Sequence, residues 1–349
     1  MPLKSVVLLR RTKDAANTGV GLYANSLAGL LERNSIEFEE IEMRMDLHNG
    51  FIRMLKDGFI EPFFKIMKAR KDTEIFHATD DLCCFFLPFM RKNKKLVTFH
   101  HVVSEKDKDI KFLPMWRLSA WIGVKLADKI VAISEQTRDE IKRRYKINGD
   151  NIVVVPIALS DDITTLDVEK KRYIGCVSTL IQRKNIESLL RAFKEFRDIC
   201  GMKEGEGYSL RICGKGPEEN TLRALANDLG LEGCVEFISD IDSKELVLFY
   251  NEASIIANPS LHEGFGKVTL EAQLCSTPVV YFKEAEIPEE VVRYAVASTD
   301  ESDFAQKMFE LLSDSTLYKK VVEEGLEYAR SFQGTQAKML DIYKELSDK

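Results

Sequence analysis

The sequence predicts an α/β protein built from two doubly wound parallel sheets. Two observations carry this reading. Short apolar runs alternate with stretches of helical spacing along the whole chain, and the alternation stops once, near residues 156–172, before it starts again. With 349 residues, 45% of them hydrophobic, the chain is long enough for two domains that each bury their own core.

Taken in order, apolar runs at 5–9, 36–41, 74–76, 95–99, 129–133 and 152–155 predict the strands of a first domain, residues 1–158, with helices between them. The stretch PIALSDDITTLDVEKKR at 156–172 gathers a proline, turn formers and charge, as a linker does. Strands are then expected at 173–178, 208–213, 235–238, 254–257, 278–282 and 293–297, giving a second domain over 159–332. GTQAKMLDIYKEL reads as an amphipathic helix within 333–349, with Met339, Leu340, Ile342, Tyr343 and Leu346 on its apolar side. Ligands of open parallel sheets sit outside the carboxyl ends of the strands, so the two domains are expected to face each other across a cleft built from those ends.

Seven cysteines, at 83, 84, 176, 200, 213, 234 and 275, are scattered in apolar contexts without metal-ligand spacing and read as buried, reduced thiols. The opening MPLKSVVLLRR holds only a short apolar run, and no window reaches the roughly 18 apolar residues of a membrane span. A cytoplasmic protein is expected. Residues 1–150 carry 27 Lys and Arg against 21 Asp and Glu, a net +6, whereas the remainder carries 23 against 35, a net −12. The basic half suits an anionic acceptor or the inner face of a membrane, with peripheral contact. No dense basic stripe or reading module points to nucleic acid.

The most specific stretch is NPSLHEGFGKVTLEAQLCSTPVV at 258–280. It reads as the end of a strand, a glycine-bracketed turn and a helix stopped by Ser276-Thr277-Pro278. Gly264 and Gly266 remove side chains where a ligand approaches the backbone, and the free amides and positive end of the helix suit a diphosphate. Glu263 and Glu271 can accept paired hydrogen bonds from vicinal hydroxyls, which sugars and riboses present. The alternative reading of these residues is a solvated loop and helix face. The segment resembles the signature of the retaining glycosyltransferases of family 4, the glycosyl transferases group 1: Glu, seven residues, Glu, set in EGFG and followed by a Thr-Pro-Val-Val strand. The resemblance implies the GT-B fold, two Rossmann-like domains with the C-terminal helix crossing back onto the first. It also implies that Glu263 meets the donor sugar, that Glu271 meets the nucleotide ribose, and that the backbone of Gly264, Phe265 and Gly266 lies near the diphosphate.

Other motifs fall at carboxyl ends of expected strands. Gly19 and Gly21 precede a helix after the first strand, as a tight turn or as an approach to phosphate; in the family a glycine loop here, followed by an aromatic such as Tyr23, lies close to the donor phosphate or acceptor. Thr18 stands where many members have another Gly. His100 and His101 follow the fourth strand, and adjacent residues on an extended chain point apart, which argues against a metal. The resemblance aligns His100 with the His beside the sugar, and His101 replaces its acidic neighbour. Arg183 and Lys184 sit before a helix, either exposed to solvent or neutralising a diphosphate. The family places a Lys at 184 on the phosphates, and Thr179 stands where it commonly has an Arg. Gly214 opens a Gly-x-Gly-Pro-Glu turn that resembles the one flanking the nucleotide base. Asp107 with Asp109, and Asp240 with Asp242, form Asp-x-Asp pairs that suit turns and helix caps.

Together these readings predict transfer of a sugar from a nucleotide-diphosphate sugar, a UDP- or GDP-sugar, to an acceptor hydroxyl, with Glu263, Lys184 and His100 as catalytic residues. Donor contacts are expected from Gly19, Arg183, Lys184, Gly214, Glu263, Gly264, Phe265, Gly266 and Glu271. The nucleotide sugar is a co-substrate; no cofactor and no metal are expected. The acceptor is expected to be a carbohydrate or a lipid-linked group, in glycan, glycolipid or surface-polysaccharide synthesis. Residues 51–71 and 110–129 mix aromatics with bases and read either as core-facing helices or as a membrane-touching surface. Two further functions stay open: a nucleotide-sugar epimerase on the same plan and a catalytically silent nucleotide-sugar-binding subunit.

Overall fold

The computed structural model describes residues 5–11, 19–44, 51–102, 113–202, 207–239 and 241–348. The chain forms two compact units. Unit 1 comprises residues 1–157 together with 335–349, and unit 2 comprises 158–334.

Unit 1 holds, among the described residues, a sheet of six strands: β1 (Ser5–Arg11), β2 (Glu37–Met43), β3 (Ile75–Ala78), β4 (Lys94–Phe99), β5 (Lys129–Ala132) and β6 (Ile152–Val154). Their order is β2-β1-β3-β4-β5-β6, and every pair is parallel. Helices cover both faces, so the central strands β1 and β3 are buried on each side and, Arg10 and His77 apart, apolar in their interiors. The edge strand β2, EFEEIEM, instead alternates, exposing Glu37 and Glu39 and burying Ile41 and Met43. One face of the sheet packs Val6, Leu8, Leu96 and Val131 against Tyr23, Leu27 and Leu31 of helix Gly19–Arg33. The same cluster takes in Met339, Ile342, Tyr343 and Leu346 of the last helix, Ala337–Ser347.

Unit 2 repeats the plan with β7 (Lys171–Val177), β8 (Ser209–Cys213), β9 (Val235–Ile238), β10 (Ala253–Asn258), β11 (Val279–Phe282) and β12 (Val296–Ser298), all parallel, in the order β12-β11-β10-β7-β8-β9. Its main core gathers Ile174, Leu210, Ile212, Ile255 and Val280 beneath Phe193, Phe196 and Phe304.

The expected α/β class and strand rhythm hold, with two local corrections. The strand expected at 293–297 starts at Val296, because the short helix Glu289–Val292 and a turn occupy the preceding residues and Tyr294 stacks beside Tyr328. Gly21 does not precede a helix but lies in the first turn of Gly19–Arg33, where it is buried. The seven cysteines are unpaired, and all but Cys200 are buried. No helix among the described residues is long and apolar enough to cross a membrane.

Candidate active site

In each unit the strand order reverses direction between two neighbours, and at such a point the loops leaving the carboxyl ends diverge and open a crevice. In unit 2 these neighbours are β7 and β10. The loop after β7 carries Arg183 and Lys184; the loop after β10 carries Glu263.

The two loops are tied together. Leu261 N–H donates to the Arg183 carbonyl (3.0 Å), and Glu286 N–H donates to the Leu261 carbonyl (2.8 Å). The Glu263 N–H in turn donates to the Glu286 carbonyl (3.0 Å). This lattice holds the Glu263 carboxylate against the Lys184 ammonium, with Ser260 Oγ donating to Oε1 (2.7 Å) and Arg183 Nη1 at 3.8 Å from Oε2. Arg183 also donates to the His262 carbonyl (3.0 Å). Burial pushes the Glu263 carboxyl upward, but Lys184, Ser260 and Arg183 more than offset it and hold it below the usual carboxylate range.

Glu271 lies one turn into helix Lys267–Leu274 and is buried. Its Oε2 accepts from Tyr250 OH (2.9 Å), and Oε1 pairs with Lys267 Nζ (2.9 Å). Gly266 caps this helix with φ +84°, a conformation that favours glycine. The strand end is pinned to the helix by Asn258 Nδ2, which donates to Thr269 Oγ1 (3.1 Å). The Phe265 ring is buried beside Phe332 (6.1 Å between centroids), so that side chain anchors the turn.

Gly214 follows β8 with φ +147°, and a Cβ there would fall 1.9 Å from the Ser178 carbonyl oxygen; at Gly216 a Cβ would fall 2.1 Å from that of Leu180. The Gly-x-Gly turn therefore lets the 178–180 backbone lie flush on it, with Leu180 N–H donating to the Lys215 carbonyl (2.9 Å). That support leads directly to Arg183 and Lys184. Asp242 caps helix Ser243–Glu252 through Lys244 and Glu245 amides (2.8 Å each), as its context suggested.

In unit 1 the strand order reverses between β1 and β3. Arg11 ends β1 and its Nη2 donates to Asp80 Oδ2 (2.8 Å), just beyond β3, while its guanidinium stands 5.0 Å from the Trp116 ring centroid. Asp80 is buried and also accepts from Leu82 N–H (2.9 Å). Asp81 is buried beside it, and burial, then the Asp80 charge, push its carboxyl well above the usual range. His100, after β4, is buried; its Nε2–H donates to the Thr79 carbonyl (3.0 Å), and its ring meets Tyr23 edge-on at 4.9 Å. Burial lowers it to about 4, so it is neutral at pH 7. Gly19 is exposed, and a Cβ there would meet nothing, so packing does not demand glycine.

Loop geometry thus brings Arg183, Lys184, Glu263 and the Gly264–Gly266 turn together in unit 2 and leaves His100 and Gly19 in unit 1. Thr18, Asp107, Asp109 and Asp240 lie outside the described residues. Sequence reading missed Ser260, Tyr250 and Lys267 as partners of the two glutamates, and Arg11 with Asp80. The last pair carried a signal, since Arg11 ends one of the strands that flank the reversal and Asp80 follows the other; nothing in the sequence ties Tyr250 to Glu271.

Comparisons with known proteins bear on the family and the fold. Residues 162–328 match the family model "Glycosyl transferases group 1", and residues 20–162 match "Glycosyltransferase Family 4". A D-inositol 3-phosphate glycosyltransferase of Corynebacterium jeikeium is 34% identical over 193 residues, 51% of this chain and 44% of that protein. O-antigen chain mannosyltransferase B of Escherichia coli is 26% identical over 287 residues, covering 75% and 73%. The chain spans about half the length of the first two curated relatives it matches (44% and 54%). Among solved structures, a sucrose-phosphate synthase from Thermosynechococcus elongatus superposes with TM-score 0.80 at 18% identity over 98% of this chain and 99% of that one. HepE of Anabaena, in complex with UDP and glucose, superposes with TM-score 0.78 at 15% identity over 99% and 100%. With two family models meeting at residue 162 and both units on the matching fold, the chain belongs to the family 4 glycosyltransferases, the glycosyl transferases group 1, of GT-B fold.

Proposed function

We propose that the protein is a retaining glycosyltransferase that moves a sugar from a nucleotide-diphosphate sugar, a UDP- or GDP-sugar, to an acceptor hydroxyl. The observation that carries the proposal is the loop pair at the β7/β10 reversal. It sets one cation, Lys184, against one carboxylate, Glu263, immediately before the amino end of helix Lys267–Leu274.

Glycosyl transfer leaves negative charge on the departing diphosphate and positive charge on the anomeric carbon. Lys184, Arg183, the helix amides and the Gly264–Gly266 backbone supply fixed positive charge for the first, and Glu263 supplies an acceptor for sugar hydroxyls. This set of donors does the work that a divalent cation does elsewhere, and a metal-independent reaction is proposed. Glu271, oriented by Tyr250 and Lys267, takes the ribose diol. No side chain in the set is placed as a covalent nucleophile, so the acceptor enters on the face the nucleotide leaves, with a donor phosphate oxygen taking its proton. That route retains configuration.

Neutral His100 is proposed to contact the donor sugar. The acceptor is a carbohydrate or a lipid-linked group, reached by peripheral contact with the inner face of a membrane. Support comes from the stretch 51–71, where exposed Ile52, Ile60 and Phe64 alternate with exposed Arg53, Lys56, Lys65 and Lys68, and from exposed Leu118 and Trp121 on helix Leu113–Leu126.

Two measurements test these proposals. Incubation with UDP- and GDP-sugars and oligosaccharide acceptors, with proton NMR of the product, is expected to show the donor's anomeric configuration; an inverted product contradicts the mechanism. Vesicles of anionic lipid at low salt are expected to co-sediment the protein more than zwitterionic ones, and equal absence from both pellets contradicts the membrane contact.

A further inference from the structure

Four polar groups buried in unit 1 form one hydrogen-bonded series that ends on a methionine sulfur. Tyr343 OH and His77 Nδ1 are 2.7 Å apart, His77 Nε2 and Thr98 Oγ1 2.8 Å, and Thr98 Oγ1 and Tyr23 OH 3.1 Å; Tyr23 OH points to Met339 Sδ at 4.0 Å. His77, Thr98 and Tyr343 are fully buried, and Tyr23 nearly so. Burial drives His77 down to about 3, so its imidazole is neutral and has one N–H.

Only one direction of donation gives every proton in this series an acceptor. Tyr343 donates to Nδ1, Nε2–H donates to Thr98, Thr98 donates to Tyr23, and Tyr23 donates to the Met339 sulfur. The reverse direction leaves the Tyr343 proton without a partner in the series. The circuit leaves helix Ala337–Ser347 at Tyr343, crosses β3 and β4, and returns to the same helix at Met339. Polar pairs of this kind contribute little net stability over apolar groups of the same shape, but they fix rotamers and tautomers. The ring they fix is that of Tyr23, and its edge-on neighbour at 4.9 Å is His100.

We propose that Tyr343 and Met339 of the last helix are positioning residues for His100, acting through His77, Thr98 and Tyr23. The imidazole of His100 is then held at two points, by the Thr79 carbonyl at Nε2 and by the Tyr23 ring at its flank. This inference rests on the proposed contact of His100 with the donor sugar, and the test separates the two.

The test uses the full chain and Tyr343→Phe, which keeps the ring and removes one hydroxyl, with His100→Gln and the double variant. The protein has five histidines, so nitrogen-15 NMR of the imidazoles resolves them, with His77→Gln and His100→Gln giving the assignments. Tyr343→Phe is expected to mix the His77 tautomers and shift the His100 signals, an observation that needs no substrate. Turnover is read with whichever UDP- or GDP-sugar of a panel the wild type consumes. Tyr343→Phe is expected to lower kcat about three- to tenfold at unchanged donor KM, and to add nothing in the His100→Gln background. Unmoved His100 signals with wild-type kcat in Tyr343→Phe overturn the relay even if His100→Gln is impaired. Wild-type turnover in His100→Gln overturns the reading of His100 and the relay with it. An equal loss from Tyr343→Phe in both backgrounds marks the hydroxyl as merely structural and also overturns the relay.

Discussion

Glu263 stays ionised in its half-buried loop because Lys184, Ser260 and Arg183 gather on its two oxygens. Its folded pKa lies below the ordinary value of 4.5, so the pairing contributes fully above that value and is lost as pH falls through the lower folded pKa. Glu263→Gln is expected to lose about 1–3 kcal/mol at pH 7, because it leaves Lys184 facing a neutral amide. In urea titrations the gap to wild type should narrow below about pH 4.5; a gap that is constant from pH 7 to 3 contradicts the ion pairing. Donor turnover should fall by about a hundredfold in the same variant, since one group is asked to hold both the sugar and the cation.

At the scale of elements, glycines divide sharply. Gly214→Ala puts a Cβ 1.9 Å from the Ser178 carbonyl at φ +147° and is expected to cost about 3 kcal/mol, whereas Gly19→Ala meets nothing and should fall within about 0.5 kcal/mol of wild type. Equal melting temperatures for the two variants would contradict the packing assigned to the 178–180 loop. In the sequence both glycines read alike, as turn formers and donor-contact candidates, and the backbone around them separates their packing. The strands were legible because parallel strands buried on both faces are runs such as VVLL and SIIAN, bounded by turn residues. Helix Lys267–Leu274 was legible from Gly266 and Ser276-Thr277-Pro278 at its ends. The start of β12 was not, since Tyr294 reads as a strand residue and is drawn instead to Tyr328. The partners Tyr250 and Lys267 of Glu271 depend on how helices meet over the sheet, which periodicity does not encode.

At the scale of the whole molecule, the chain closes unit 1 with its own last helix, burying Met339, Ile342, Tyr343 and Leu346 among residues of β1, β4 and β5. Each such side chain contributes about 1.5–3 kcal/mol, and the four together match the usual margin of a domain. Removal of residues 335–349 is therefore expected to abolish cooperative melting of unit 1 in calorimetry, and an unchanged two-unit melting profile contradicts this assignment. The central claim, that the Glu263–Glu271 loop of unit 2 holds a nucleotide sugar, is tested most directly by a thermal-shift panel of UDP, GDP, ADP and their sugar conjugates on wild type and Glu271→Ala. Specific binding to the native state raises the melting temperature, so one nucleotide class should shift the wild type and fail to shift the variant. No shift with any of them, or an equal shift in both proteins, would contradict the claim.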